Sequence, residues 1–248
     1  LLERAKPLRI HLLLTHFHWD HIQGLPFFAP LFEPDAHITI YSSGFSAALR
    51  DSLTGQMTAP YFPVPFHSVA ARVDLVEFGP DGIGIGPATV MPVEVRHPQG
   101  ACAYSVEVGG ARFLYAPDRE HGDERLDAIF LEAARGATVL VADAQYTPEE
   151  YGSHLGWGHT TWAECAQVAR KAQVGSLVLF SHDPTHNDDV LRGIELDARR
   201  IFPHTFAARE DWAVDDFKRS TRLPPAPLPF TVDGDMPGRS PPGPGRAG

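Results

Sequence analysis

The stretch from Leu12 to Gly24 reads LLLTHFHWDHIQG. A short apolar run from Ile10 to Thr15 breaks at once into His16, His18 and His21 around Asp20. An apolar run of that length is the pattern of a strand buried on both faces, which commits the chain to a sheet covered on both sides. The polar cluster then stands at the rim of that sheet. Two readings of the cluster are open: a loop whose imidazoles only form hydrogen bonds, or half of a two-metal site.

The rest of the chain supplies the covering layers. A helix is expected from Asp20 to Phe28, stopped near Pro30, then a strand at His37–Tyr41 and a helix at Gly44–Leu53. From Ala71 to Ala116 the pattern is β-rich, with strands ARVDLVEF, ATVMPVEV, CAYSVEV and RFLYA; the Gly109–Gly110 pair between the last two marks a tight hairpin. GIGIGP at Gly82–Pro87 lacks a strand-to-helix context and reads as a turn. Beyond it, helices at Glu124–Arg135, Thr161–Ala172 and Asp188–Arg200 alternate with strands ATVLVAD and SLVLFS. A β-rich half followed by a βαβ half places the chain in the α/β class, as sheets covered by helices.

Bulk properties narrow the partners. The 248 residues carry a formal charge of −10 and are 43% hydrophobic, which suits a single large core and disfavours broad binding to nucleic acid. Bound metal ions would reverse that field locally, so a small anionic substrate is compatible. Cys102 and Cys165 form no C-x-x-C pair; they read as small core residues in a reducing compartment, and a cytoplasmic location follows as the expectation. No apolar stretch approaches the roughly 18 residues of a membrane span. The start at Leu1, in LLERAKPLRIH, resembles the last turn of a helix entering a strand and suggests an N-terminal truncation. Residues 223–248 are so rich in proline and glycine that disorder is expected there, leaving 1–222 as the folded domain.

A metal site needs further ligands at strand ends, and they are present. His97 follows TVMPVEVR, Asp118 follows RFLYAP and His182 follows SLVLFS. In an extended segment alternate side chains share a side, so His16, His18 and Asp20 are expected to point together, with His21 turning back as a helix begins. Imidazole nitrogen suits a borderline-soft cation such as Zn²⁺, and a carboxylate can bridge to a second ion.

H-x-H-x-D-H after an apolar strand, with later His, Asp and His at strand ends, resembles the metallo-β-lactamase-fold hydrolases. The resemblance implies an αββα sandwich, here without its first strands. It implies that His16, His18 and His97 hold one metal, that Asp20, His21 and His182 hold a second, and that Asp118 bridges them. The segments ADAQYT at Ala142–Thr147 and GWGHTTWAECAQVA at Gly156–Ala169 resemble the phosphodiesterase branch with ribonuclease Z and the phosphoribosyl cyclic phosphodiesterases. In that branch the counterpart of His159 donates a proton to the leaving oxygen and that of Asp143 orients it. An Asp after a strand is also an ordinary helix-capping residue. Dimers are common in the branch, which admits a homodimer. Ribonuclease Z inserts its tRNA-gripping arm between the counterparts of His97 and Asp118. Only residues 98–117 lie there in this chain, so the expectation is that tRNA is not a partner.

The expected function is a dinuclear metal-dependent phosphodiesterase acting on a small cyclic or nucleotide-like diester. A metal-bridging hydroxide would attack phosphorus, Asp20 would hold or deprotonate the nucleophile, and His159 would protonate the leaving alkoxide. Zn²⁺ is the first choice of metal, with Mn²⁺ or Fe as alternatives. A lactonase or thioesterase on the same ligands and a non-catalytic metal-binding sensor are the competing readings. Asp183 and His186 read as capping or supporting groups, and Trp157 and Trp162 as buried aromatics.

Overall fold

The computed structural model describes residues 7–44 and 48–210. Two sheets carry the fold. The smaller has three parallel strands in the order β1 (Leu8–Leu14), β2 (Ala36–Ser43) and β3 (Arg72–Phe78). The larger has seven, in the order β10 (Thr205–Ala207), β9 (Ser176–Phe180), β8 (Val139–Asp143), β7 (Ala111–Ala116), β6 (Ala101–Val108), β5 (Ala88–Val95) and β4 (Ile83–Ile85).

Three apolar clusters set the layers. Tyr41 and Phe78 of the small sheet meet Val90, Cys102 and Tyr104 of the large one, so the sheets face each other. Helix α2 (Leu49–Gln56) covers the outer face of the small sheet through Leu49 and Leu53, packed with Ile38 and Ile40. Helices α3 (Glu124–Ala134), α5 (Trp162–Ala172) and α6 (Asp188–Ile201), with the one-turn α4 (Pro148–Tyr151) between α3 and α5 in the chain, follow the large sheet, and Phe130, Ala166 and Ala198 of the three longer helices cover it by packing with Leu114, Leu140 and Leu177. The result is the αββα sandwich.

Each long helix starts at a side-chain cap that satisfies an orphan amide. Asp123 accepts from Leu126 N, Thr161 from Glu164 N, and Asn187 from Asp189 N and Val190 N. Gly109 and Gly110 turn between β6 and β7 with φ of 57° and 77°, which a side chain tolerates poorly.

Several sequence expectations shift. The helix expected from Asp20 is only α1 (Trp19–Ile22), because Pro26 and Pro30 restart the chain as two short 3₁₀ turns. The helix expected from Gly44 begins at Leu49, and residues 45–47 lie outside the described set. Within GIGIGP, Ile83–Ile85 is strand β4, not only a turn; it pairs antiparallel with β5 and packs the partly buried Ile83 and Ile85 against the inter-sheet cluster. Strand β1 is not buried on both faces, since Arg9 and His11 are exposed and it pairs with β2 alone among the described residues. The expected tail at 223–248, the domain boundary at 222 and the first helical turn before Pro7 fall outside the described residues.

Leu140 is fully buried at the centre of the large sheet. Leu140→Ala is expected to cost about 2–5 kcal/mol in denaturant unfolding, the range of a core truncation that leaves a cavity.

Candidate metal centre and its proton-bearing histidine

Topology brings the cluster together. In the large sheet β5 and β7 both run antiparallel to β6, and β8 and β9 run parallel to β7. The C-terminal ends of β5, β7, β8 and β9 therefore share one rim, and they lead into His97, Asp118, Asp143 and Ser181–His182. Strand β1 delivers its own end to that rim by hydrogen bonds to β6. Cys102 N donates to the Thr15 carbonyl at 3.1 Å and the Tyr104 hydroxyl to the Leu14 carbonyl at 2.7 Å.

One ligand atom from each of His16, His18, His97 and Asp118 lies within 4.8 Å of the others. Their hydrogen bonds fix which nitrogen faces inward. His97 Nδ1 donates to the Gly158 carbonyl at 2.8 Å, leaving Nε2 as the lone-pair nitrogen. His18 Nε2 donates to Gln99 Oε1 at 2.6 Å, and its Nδ1 stands 3.0 Å from His97 Nε2. In neutral rings those two nitrogens present lone pairs to each other, a repulsion that a proton or a cation between them relieves. His16 Nδ1 shares a hydrogen bond of 3.1 Å with the Thr15 hydroxyl, while its Nε2 is buried without a partner among the described residues. Burial and the neighbouring His21 hold the His16 pKa down to about 3, so the ring is neutral. Three inward nitrogens, one of them orphaned, beside a buried carboxylate suit a divalent cation.

Asp118 is the hub. Its Oδ2 lies 3.1 Å from His21 Nε2 and 3.6 Å from the Nε2 atoms of His16 and His97. Burial works to raise this carboxyl, but the His21 hydrogen bond and the surrounding imidazoles hold it down at about 2, so it is charged.

The structure brings the remaining expected ligands together less completely. His21 reaches Asp118, but its nearest contact with Asp20 is 3.4 Å and the Asp20 side chain is 74% exposed. The expectation that His16, His18 and Asp20 point together fails at Asp20 because α1 begins at Trp19. Helical rotation replaces strand alternation there and turns Asp20 outward. His182 stands outside the group of four, with both ring nitrogens buried and unpartnered among the described residues. Its neighbour Ser181, at φ 51°, turns the chain and presents its own hydroxyl to Asp118 Oδ1 at 3.4 Å.

His159 lies on the other side of Asp118, with Nε2 3.9 Å from Oδ2. Its Nδ1 donates to Asp143 Oδ2 at 2.7 Å. Asp143 also accepts from Arg119 N at 2.9 Å, Gln145 N at 3.1 Å and Thr160 N at 3.4 Å. Complete burial pushes the Asp143 carboxyl up to about 6 against these donors. Burial alone would make His159 harder to protonate, but the Asp143 hydrogen bond and charge outweigh it and raise the ring's pKa. Asp143 is thus bonded to His159 and to amides of three separate residues, beyond any helix cap.

Several participants carry no motif. Gln99, at φ 58°, orients His18, and Thr15 orients His16. Gly158 shows only as a glycine, yet a Cβ there would stand 2.3 Å from His97 Nδ1. Trp157 is 62% exposed beside His159, not buried as expected, whereas Trp162 packs on the core. His186 bonds Glu150 at 3.0 Å and Asp183 caps the turn at Thr185.

Residues 3–182 match the beta-lactamase superfamily domain family. The chain belongs to that superfamily. Ribonuclease Z of Lacticaseibacillus casei is 30% identical over 255 residues, which cover 86% of this chain and 80% of that protein. Ribonuclease Z of Gemmatimonas aurantiaca is 34% identical over 94 residues, 38% of this chain and only 30% of that protein's length. The short form of human tRNase Z shares the fold with a TM-score of 0.56 at 18% identity, over 70% of this chain and 73% of that one. The ribonuclease Z relatives overturn the expectation that tRNA is not a partner. That expectation leaned on the short span of residues 98–117 and on net charge, and net charge sums over the whole surface and does not describe the field at one site. Among the described residues no helix is long and apolar enough to cross a membrane.

Gly158 combines φ of 91° with the close approach to His97. Gly158→Ala is expected to cost about 1–3 kcal/mol in denaturant unfolding. Gly152→Ala, where a Cβ meets nothing within 4 Å, stays within about 0.5 kcal/mol of wild type.

Proposed function

We propose that the chain is a dinuclear metal-dependent phosphodiesterase. The observation that carries this reading is a histidine held by a buried carboxylate, His159 on Asp143, facing the same Asp118 oxygen as the ligand histidines. His16, His18 and His97 would hold one cation, Asp20, His21 and His182 the other, and Asp118 would stand between them. Zn²⁺ suits this mixed imidazole and carboxylate set first, with Mn²⁺ or Fe as alternatives. Bound there, such cations supply positive charge for the non-bridging phosphate oxygens and lower the pKa of water.

The chain's own side chains do the rest. Asp143 accepts the hydrogen bond of His159 Nδ1–H, which leaves Nε2 as the atom that faces substrate and carries the transferable proton. Expulsion of an alkoxide from phosphorus needs that proton at the leaving oxygen, and His159 Nε2 would give it. Asp20, 3.4 Å from His21 with its side chain largely exposed, would turn inward to hold or deprotonate the attacking water. Lactone or thioester cleavage would use the same cations but gives the His159–Asp143 pair less to do.

The substrate class of this reading is a small cyclic or nucleotide-like phosphodiester. The ribonuclease Z relatives bring in RNA as the second class.

His159→Ala is expected to lower kcat on a diester by about 10²–10⁴-fold while metal content stays at the wild-type level. Parallel assays on a cyclic phosphodiester, a 3′-extended tRNA and a lactone decide the class. Turnover of the lactone alone, undiminished in the variant, contradicts the proposal.

A further inference from the structure

Glu120 follows two residues after Asp118, is 2% exposed, and belongs to no sequence motif. Its carboxylate is spent on one short turn. Oε1 accepts from Gly156 N at 2.7 Å and from the Tyr151 hydroxyl at 3.2 Å, and Oε2 accepts from Gly158 N at 3.1 Å. Arg96 lies 3.9 Å from Oε1, too far for a firm pair. Burying a carboxylate is costly unless its oxygens are satisfied, and here both are satisfied by the turn and Tyr151.

That turn has two outputs. The Gly158 carbonyl accepts a hydrogen bond from His97 Nδ1–H at 2.8 Å, and the next residue is His159. Gly156 and Gly158 have φ of 85° and 91°, so the turn is not a conformation that side chains favour, and the two amides converge on one carboxylate. The tripeptide Asp118–Arg119–Glu120 thereby serves the site three times. Asp118 enters the histidine group, Arg119 N bonds Asp143, and Glu120 bonds the turn.

We infer that Glu120 is a positioning residue which, through the Gly156–Gly158 turn, sets the nitrogen that His97 presents to the site and the placement of His159. The inference rests on the reading that His97 holds a metal and His159 carries the transferable proton. Glutamine at 120 keeps the size of the side chain but turns one oxygen into an NH₂ group. One of the two glycine amides then faces a donor, and the Gly158 carbonyl loses its fixed direction.

The test compares the full chain with Glu120→Gln and Glu195→Gln. Glu195, on α6, is also buried, but its partners are Ala207 N at 2.8 Å, Arg199 and Arg209, none of them a residue of the histidine group. Three quantities are read: the melting temperature, the His97 tautomer from imidazole ¹⁵N shifts before metal loading, and Zn²⁺ affinity by chelator competition after it. Expected is a single Nδ1–H tautomer in wild type and a mixture in Glu120→Gln. Zn²⁺ affinity should fall about 10–100-fold in that variant, while Glu195→Gln keeps wild-type affinity even where it melts earlier.

An unchanged tautomer and affinity in Glu120→Gln overturn the inference, as does an equal loss of affinity in both variants. Wild type that fails to bind Zn²⁺ overturns the metal reading; the tautomer change in Glu120→Gln would then still support the positioning role. If Glu120→Gln does not fold, Tyr151→Phe removes one donor to the same oxygen and shifts both readouts in the same direction by less.

Discussion

The site depends on two hydrogen bonds that join the end of one sheet to the start of a strand in the other. Cys102 N and the Tyr104 hydroxyl hold the Thr15 and Leu14 carbonyls, so the β1 terminus cannot move away from β6. Both groups are buried at the inter-sheet seam, where an unpaired carbonyl would be costly. Because β5, β7, β8 and β9 end on the same rim, anchoring β1 there sets His16 and His18 against His97 and Asp118. Residues far apart in the chain become neighbours through backbone pairing before any ligand is considered.

Once the rings are together, their outer hydrogen bonds decide their chemistry. Gly158, Gln99 and Asp143 each take an imidazole proton on the side away from the centre. The opposite nitrogens of His97, His18 and His159 are thereby pre-assigned. The same device gives different results according to the acceptor. A neutral amide oxygen leaves His97 and His18 as lone-pair donors, whereas the Asp143 carboxylate favours a charged His159. Asp118, held as a carboxylate by the imidazoles around it, is the common neighbour of both kinds of ring.

Much of this was legible in the residues, for a physical reason. Strands of the large sheet show as apolar runs, and a histidine or aspartate one to three residues past a run must stand at a rim. Asp143, the last residue of its own strand, was marked only by the family resemblance, whereas His97, Asp118 and His182 follow from that rule. Asp20 does not, because strand alternation ends where α1 begins, and that boundary turned on one residue. Ile83–Ile85 was hidden by its glycines, which read as a turn although β5 offered them a partner. Gln99, Gly158 and Glu120 act through backbone geometry and a turn; neither leaves a periodic trace in sequence. The relation to ribonuclease Z corrected the argument about tRNA that was drawn from net charge and from the short 98–117 span.

The central claim, that the histidine group with Asp118 is a bridged two-metal site, is tested most directly by metal stoichiometry. Elemental analysis of the gel-filtered chain after incubation with Zn²⁺ or Mn²⁺ should give about two ions per chain, falling sharply in Asp118→Ala that remains folded. Folded wild-type chain that retains no metal, or an Asp118→Ala variant that retains the wild-type content, would contradict it.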